Sequence, residues 1–287
     1  MTEKRPAPWI KSVTVELVAT LDLGPEIGRG DLRRHRQERV TPVRPITLAV
    51  VAALTLAGRP ARAGVEAEVE AGVVLATRND ARIPGDAGTK ISLVNDLSTA
   101  PAPAFRVRLG YRLAERHLVT ALYAPLQVNA RGTVDRDIAF EGATYPAGSP
   151  LLAVYRFDSY RLTYRYSFIW TEGLDVAAGF TAKIRDAETS LYGAEARRKT
   201  NTGFVPLLNV HVAWQPRGGV LGVVLDADAL AAPQGRAEDV LLAATWGFRE
   251  GLELRAGYRM VEGGADNAEV YSFAWLHYFV AALRMSL

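Results

Sequence analysis

The chain of 287 residues is 49% hydrophobic and 23% charged, and it contains no Cys. This apolar content with a formal net charge of +3 excludes a disordered protein, and the absence of Cys excludes disulfides, thiol nucleophiles and Cys-ligated metal centres. Residues 1–63 hold 11 Lys and Arg and 6 Asp and Glu; subtracting these from the totals of 34 and 31 leaves 23 basic and 25 acidic residues in 64–287. The basic isoelectric point therefore belongs to the N-terminal segment, and the sequence does not indicate a nucleic-acid partner.

An apolar run near the N-terminus predicts a secretory signal peptide. Residues 46–57 are uncharged and mostly apolar, and the run is too short for a transmembrane helix, which needs about 20 residues. Ala61-Arg62-Ala63 follows with the small-x-small pattern of a signal-peptidase site. We therefore expect residues 46–63 to be the hydrophobic region and cleavage site, with cleavage before Gly64; a buried core helix is the alternative.

The stretch before this run has no periodic pattern. Residues 1–45 are predicted to be unstructured, and two interpretations remain open. The first is an unusually long basic n-region. The second is upstream sequence translated from a start codon assigned too early, with Val40 or Val43 as the true initiator.

From Val65 onward, apolar and polar residues alternate with period two, which is typical of strands with two unlike faces. In residues 160–170, YRLTYRYSFIW, the aromatic and aliphatic residues share one face, and Arg161, Thr163, Arg165 and Ser167 share the other. The pattern predicts ten strands, at 65–79, 102–113, 116–128, 152–170, 173–187, 202–215, 219–230, 238–249, 251–261 and 268–286.

The composition of the two faces favours a membrane barrel over a soluble sandwich. The apolar face is rich in Tyr, Phe and Trp, and the opposite face carries Arg, Glu, Asp and Gly. Together with the signal peptide, this predicts lipid outside and a polar lumen inside. Residues 64–287 are therefore predicted to form an all-β, closed antiparallel transmembrane β-barrel of about ten strands, with eight or twelve as alternatives.

Connections of alternating length support the same fold. Short turns are predicted at 114–115, 171–172, 215–218 and 250, and longer connections at 80–101, 129–151, 188–201, 231–237 and 262–267. Outer-membrane barrels have short periplasmic turns and longer outer loops. The aromatic residues beside the short turns are predicted to form a girdle at the inner interface: Trp170, Trp214, Trp246 and Phe248.

The last segment places Tyr271, Phe273, Trp275 and Phe279 on one face. It resembles the C-terminal strand by which bacterial outer-membrane barrels are recognised for assembly, although that pattern usually ends in Phe and this chain ends in Leu287. Residues 64–287 look like a Gram-negative outer-membrane β-barrel protein, and residues 82–93 and 155–166 resemble an uncharacterised family of such barrels. The resemblance implies outer-membrane lipid, lipopolysaccharide and the barrel-assembly machinery as partners, and it implies no known chemistry.

The polar face predicts a charged network that largely fills a narrow lumen, with a weakly porin-like path as the alternative. Its members are Glu66, Glu68, Glu70, Arg106, Arg108, Arg112, Arg161, Arg165, Asp226, Asp228, Glu253, Arg255 and Arg259. We expect Glu66, Glu68 and Glu70 to face the arginines of the second strand.

Motifs for catalysis or cofactor binding are absent from the sequence. The Asp158-Ser159 pair faintly resembles barrel acyltransferases, but the dipeptide is too common to assign a role. We therefore predict no catalytic residue, no metal and no cofactor, and a structural, surface-interaction or weakly porin-like role. A lipid- or lipopolysaccharide-modifying barrel enzyme is the alternative.

Overall fold

The computed structural model describes residues 64–232 and 235–287, and the predicted leader, residues 1–63, lies outside them. Within that part of the chain the strands are β1 (Gly64–Arg82), β2 (Ile91–Ser92), β3 (Ser98–Thr99), β4 (Ala102–Leu113), β5 (His117–Ala124), β6 (Gln127–Thr133), β7 (Ile138–Phe140), β8 (Ala143–Tyr145), β9 (Pro150–Trp170), β10 (Leu174–Tyr192), β11 (Ala196–Trp214), β12 (Leu221–Ala232), β13 (Gly235–Arg249), β14 (Leu252–Asp266) and β15 (Tyr271–Ser286). Over the same residues, no helix is long and apolar enough to cross a membrane.

The long strands close into one antiparallel barrel. β5 and β6 pair in succession with β9 and together form one wall strand, so the wall runs β1, β4, β5/β6 and then β9 to β15. β15 returns to pair with β1 from Glu66–Ser286 to Arg82–Tyr271. Counted over the described residues, the wall has ten strands, which confirms the predicted barrel of about ten antiparallel strands.

The third wall strand was predicted to be continuous over 116–128 and is instead interrupted at Pro125. β5 pairs with β9 as far as Ala124–Ser159, and β6 resumes at Gln127–Arg156. Proline has no N–H to donate and cannot continue a ladder of backbone hydrogen bonds. The ladder is therefore interrupted here without a change of register, and the wall strand extends as β6 to Thr133.

The two ends of the barrel differ in their connections. The end with residues 64 and 287, here called the inner end, has short turns at 114–116, 171–173, 215–220 and 250–251. The other end, here called the outer end, has long connections at 83–101 and 134–149. This is the arrangement expected for periplasmic turns and external loops.

The predicted long loops at 188–201 and 262–267 are wrong. β10 and β11 stay paired up to Tyr192–Ala196, and β14 reaches Asp266 before a connection at 267–270. These segments lack the apolar alternation of a membrane strand. A pair of strands that projects into water is held by backbone hydrogen bonds and needs no apolar face. The apolar and polar alternation therefore ends before the strands end.

The outer rim of the barrel is uneven. β9, β10 and β11 contain 21, 19 and 19 residues, whereas β12 contains 12. At about 3.3 Å per residue and a tilt of about 40°, 19 residues rise roughly 48 Å and 12 residues roughly 30 Å, against an apolar band of about 25 Å. The wall formed by β9 to β11 therefore projects well beyond the membrane.

Apolar side chains fill much of the outer half of the lumen. They come from the wall strands and from the two long connections, which fold over the opening with buried Ile91, Leu93, Ile138, Phe140 and Tyr145. The Tyr145 hydroxyl donates a hydrogen bond to the carbonyl of Leu191 at 3.1 Å. We call connections 83–101 and 134–149 the loop cover. In the first connection, β2 and β3 each form two-residue pairings with wall strands β1 and β6, whereas β7 and β8 in the second connection pair with each other and are held by packing.

Candidate functional site

The alternating strands sort charged and apolar residues to opposite faces. On β9, Leu162 is 57% exposed and Tyr164 is 43% exposed on the outer surface, whereas Arg161 and Arg165 are each 7% exposed inside. Successive residues of a strand point to opposite faces, so one strand supplies both the lipid contact and the lumen charges. The inner half of the lumen is therefore where the arginines and carboxylates of several strands meet.

Asp239 on β13 is the centre of this charged lumen. Its Oδ2 accepts hydrogen bonds from Arg161 Nη2 at 2.6 Å and Arg106 Nη1 at 3.0 Å, and its Oδ1 accepts one from Arg259 Nη1 at 2.6 Å. Three buried guanidinium groups from β4, β9 and β14 thus share one carboxylate. Charge-assisted hydrogen bonds of this kind compensate for the loss of water around each ion.

Two further carboxylates on β12 connect opposite walls. Asp226 accepts hydrogen bonds from Arg108 at 3.0 Å and from Arg165 at 3.3 Å. Asp228 accepts one from Arg161 at 2.8 Å. β4 and β12 are the second and seventh of the ten wall strands described, so the Arg108–Asp226 pair spans the full width of the lumen.

The inner mouth is filled by glutamates paired with arginines. Glu66 binds both Arg112 and Arg284 at 2.9 Å, and Glu68 binds Arg255 at 2.8 Å. A cavity of about 20 Å³ remains among these side chains. Since one water needs about 10–15 Å³ of such space, this cavity has room for one or two water molecules.

Arg106 and Arg108 face the glutamates of the first strand and also reach carboxylates across the lumen. Glu68 and Glu70 lie opposite Arg108 and Arg106 in the ladder, but their side chains are 3.8 and 3.7 Å apart. The shortest contacts of these arginines go across the lumen to Asp226 and Asp239. Neighbouring strands bring the ions close, and the curvature of the barrel decides which carboxylate each arginine reaches.

The remaining predicted lumen residues also lie in this network. Glu253 binds Arg255 at 2.7 Å, and Glu70 binds Arg259 at 2.7 Å. Sequence reasoning did not find Asp239, Thr181 or Asn209, although Thr181 and Asn209 donate hydrogen bonds to Asp228 at 2.7 and 2.9 Å. On β13, Leu241 faces inward and Leu242 outward. A strand that is apolar on both faces shows no alternation, so the alternation could not assign Asp239 to the lumen face.

Trp170 does not belong to the predicted girdle. The β9–β10 ladder shifts register next to Val176, and beyond the shift Trp170 lies opposite Asp175, on the lumen side. The Arg112 guanidinium lies 4.3 Å from the centroid of the Trp170 ring. A bulge changes which face later residues occupy, so Trp170 covers the inner mouth instead. Trp214, Trp246 and Phe248 lie on the outer surface at the inner end.

The sequence pair Asp158-Ser159 is occupied by structural contacts. Asp158 accepts a hydrogen bond from Arg156 at 2.8 Å, and Ser159 accepts one from Arg161 Nε at 3.1 Å. His211 lies 3.5 Å from Asp226, at the inner side of the network. Among the described residues, no group of three or more His, Asp or Glu side chains is arranged to hold a metal ion.

A larger cavity of about 510 Å³ lies in the outer half of the lumen. β9, β10 and β11 line it on one side, and β13, β14 and β15 line it on the other. Tyr155, Phe157, Val261 and Leu276 supply apolar surface, and Lys183 supplies a buried cation. The charged network and this outer cavity are thus the two features of the lumen that offer binding groups to an ion or a ligand.

Solved structures of bacterial outer-membrane barrels are similar to this chain. The outer-membrane protease OmpT from Escherichia coli is 8% identical, with a TM-score of 0.50 over 78% of this chain and 97% of OmpT. Ail, the attachment invasion locus protein of Yersinia pestis, solved with the heparin analogue sucrose octasulfate, is 9% identical, with a TM-score of 0.35 over 77% of this chain and 99% of Ail. Neisserial surface protein A is 13% identical, with a TM-score of 0.30 over 78% of this chain and 97% of that protein.

No family model and no curated protein matches the sequence. The closer resemblance to an uncharacterised barrel family therefore stays a prediction. At these low identities the likeness to OmpT concerns the fold alone. The closed barrel with its exposed apolar belt has the fold of bacterial outer-membrane β-barrels, and this places the chain in the bacterial outer membrane.

Proposed function

We propose that this protein is a closed, non-conducting outer-membrane barrel with a structural and surface-interaction role. The observation that carries the proposal is the ion network that crosses the lumen, in which Arg108 on one wall binds Asp226 on the opposite wall at 3.0 Å. A ten-stranded barrel is narrow enough for side chains to fill it. Each carboxylate in the network holds two or more donors, so opening a path requires several charged contacts to break together.

The outer end supports a role at the cell surface. The loop cover is packed around buried apolar residues such as Ile91 and Phe140, and the wall of β9 to β11 presents Arg197 and Arg198 well above the membrane. Surfaces of this kind are available to external molecules, whereas the lumen is not. We propose outer-leaflet lipid and lipopolysaccharide as the partners of the barrel wall, and the assembly machinery as the partner of β15.

The proposal includes no catalytic step. The Ser159 hydroxyl is buried and is bound by Arg161, which supports a structural role for the Asp158-Ser159 pair. Lipid A extracted from cells with and without the protein is expected to have the same mass spectrum. A new acylated or deacylated species would contradict this part of the proposal and favour the enzyme alternative.

Conductance in planar bilayers tests the closed lumen. We expect the parent protein to show little current, because paired charged side chains from opposite walls meet across the inner half of the lumen. The double variant Arg106→Ala/Arg108→Ala removes two cations and leaves Glu68, Glu70, Asp226 and Asp239 undercompensated. Water and cations are then expected to enter, giving a cation-selective current and a lower unfolding temperature.

The matched control is Arg197→Ala/Arg198→Ala, which removes the same charge from exposed positions. It is expected to behave like the parent in both measurements. A parent protein that passes large, steady currents would refute the proposal and favour the porin-like role. A folded Arg106→Ala/Arg108→Ala variant that stays closed would show that the network is not the barrier.

A further inference from the structure

The outer cavity has the size and the lining of a ligand site. Its volume of about 510 Å³ lies within the range of about 300–1,000 Å³ that is typical of pockets for small molecules. Its wall combines aromatic and aliphatic surface with a few charged side chains. This combination matches an amphipathic molecule, which has an apolar body and one polar group.

Lys183 supplies a buried charge in this cavity. Its side chain is 4% exposed, and its Nζ lies 4.8 Å from the centroid of the Phe157 ring. Among the ion pairs and hydrogen bonds of the described residues, none involves Lys183 Nζ, whereas the buried arginines below it are all paired with carboxylates. Burying a cation without a carboxylate partner is costly, so an anionic group beside Lys183 would stabilise this site.

The other charges around the cavity favour the same sign of ligand. Arg185 and Lys199 also line it, and Arg185 binds only the neutral side chain of Asn201. The two lining acids are already engaged, Glu188 with Arg156 and Glu262 with Arg236. The charge left uncompensated inside the cavity is therefore positive.

The pairing of β11 with β12 stops beside the cavity. In the described residues, the pairing of β11 with β12 ends at Leu208–Ala229, although β11 continues to Ala196 and β12 to Ala232. Pro206, two residues past the last pair, has no N–H to extend the ladder. We call this unpaired stretch the open seam; Phe204, which is 68% exposed on the lipid face, and Leu230 both line the cavity there.

The open seam lies at the level of the outer leaflet. Trp214 marks the inner interface on β11, and Leu208 and Phe204 are six and ten residues above it. At about 2.5 Å of rise per tilted residue, these positions are roughly 15 and 25 Å higher, in an apolar band of about 25 Å. The gap therefore faces the acyl chains and the headgroup boundary of the outer leaflet.

We propose that the outer cavity binds an amphiphile with a single anionic headgroup and an aliphatic tail, which enters from the outer leaflet through the open seam and places its anionic group on Lys183. The inference does not depend on whether the inner half of the lumen conducts. Arg185 and Lys199 line the route and favour the anion. Phe157, Val261 and Leu276 contact the tail.

Binding of a spin-labelled fatty acid and of its methyl ester tests the headgroup assignment. The two probes share one tail and differ in the carboxylate. In nanodiscs of zwitterionic lipid, the parent is expected to immobilise one acid per barrel and to bind the ester at least tenfold more weakly, since a charge-assisted hydrogen bond is worth about one to two powers of ten in affinity. Lys183→Met is expected to bind both probes at the level of the ester.

The matched control is Lys90→Met, because Lys90 lies in the loop cover outside the cavity lining. It is expected to bind the acid like the parent. Equal binding of acid and ester by the parent, no binding of the acid, or full binding by Lys183→Met would overturn the proposal. Should Lys183→Met not fold, Ala237→Phe fills the cavity without changing any charge; a folded Ala237→Phe variant that still binds the acid would overturn it as well.

A disulfide across the open seam tests the route and separates two sources of the ligand. The natural chain has no Cys, so Leu207→Cys/Leu230→Cys introduces a single pair at the next ladder position. If the ligand comes from the outer leaflet, the oxidised form is expected to exchange the bilayer-bound acid at least tenfold more slowly than the reduced form. Unchanged exchange would overturn entry through the seam and indicate uptake from the external medium. The oxidised and reduced forms of Leu207→Cys/Leu230→Cys are both expected to have the same bilayer conductance as the parent. The exchange experiment is therefore independent of the test of the closed lumen.

Discussion

The inner and outer halves of the lumen are filled by opposite chemistry. In the inner half, eight arginines and seven carboxylates of the described residues form two ion-paired clusters, which Asn209 joins by donating hydrogen bonds to Asp226 and Asp228. In the outer half, apolar side chains and the loop cover leave the cavity of about 510 Å³. Ion pairs are directional and long arginine side chains reach across the barrel, so they close the lumen. Apolar packing at the uneven rim leaves space that a ligand can occupy.

The largest loss of stability is expected when a carboxylate at the centre of the inner network is removed. Asp239→Asn removes the carboxylate shared by Arg106, Arg161 and Arg259 and leaves buried cations without their partner. We expect a loss of about 3–5 kcal/mol in the free energy of unfolding. Urea titration of the protein in lipid vesicles, followed by tryptophan fluorescence, measures it.

Glu238→Gln is the control, because Glu238 is the adjacent acid and lies outside the network. It is expected to change the free energy of unfolding by less than about 0.5 kcal/mol. Equal losses for the two variants would mean that the inner half owes its stability to the wall and not to the ions.

A smaller and more local effect is expected in the outer half. Phe140 is 1% exposed in β7, and β7 pairs only with β8 among the described strands. Phe140→Ala leaves a void in the loop cover and costs about 3 kcal/mol of local stability. We expect faster protease cleavage within 134–149 and an unchanged urea midpoint for the barrel, because β7 and β8 pair with each other and not with the barrel sheet.

Thr144→Ala, at an exposed position on the partner strand, is expected to leave the cleavage rate unchanged. A Phe140→Ala variant whose barrel unfolds at a lower urea concentration would contradict the separation of the two halves. The loop cover would then be part of the same cooperative unit as the wall.

The smallest expected effect concerns the ion pair that joins the two connections of the loop cover. Arg136 donates hydrogen bonds to Asp96 at 2.7 and 3.2 Å, and this partner lowers the pKa of the Asp96 carboxyl below its ordinary value of 3.8. A carboxyl with a lowered pKa stabilises the folded state above that ordinary value, and the contribution disappears as the pH falls through the lowered pKa. Because Arg136 is partly exposed, we expect only about 0.2–1 kcal/mol.

Pepsin cleavage of the loop cover measures this contribution. The parent is expected to lose protection as the pH falls below about 4, and Asp96→Asn is expected to show the weaker protection already at higher pH. High salt is expected to weaken protection in the parent. A pH dependence in Asp96→Asn as strong as that of the parent would assign the effect to another carboxyl.

The sequence by itself determined the class of the fold and the inward face of most strands. Period-two alternation is a local property, so residues such as Leu162 and Arg161 could be assigned to opposite faces from their spacing alone. The same logic found the glutamates of the first strand and the arginines of the second. It failed where the local pattern changes: at Pro125, at the bulge before Trp170, and beyond the membrane, where β10 and β11 stay paired without an apolar face.

Only the tertiary structure decided which charges meet and where the lumen is empty. Arg108 lies beside Glu68 in the ladder and yet makes its shortest contact with Asp226 on the opposite wall, because barrel closure brings together residues that are 118 positions apart. The cavity depends on unequal strand lengths and on the end of the β11–β12 pairing at Leu208–Ala229. Neither is encoded in a local pattern: distances across a closed sheet follow from strand number, tilt and register taken together.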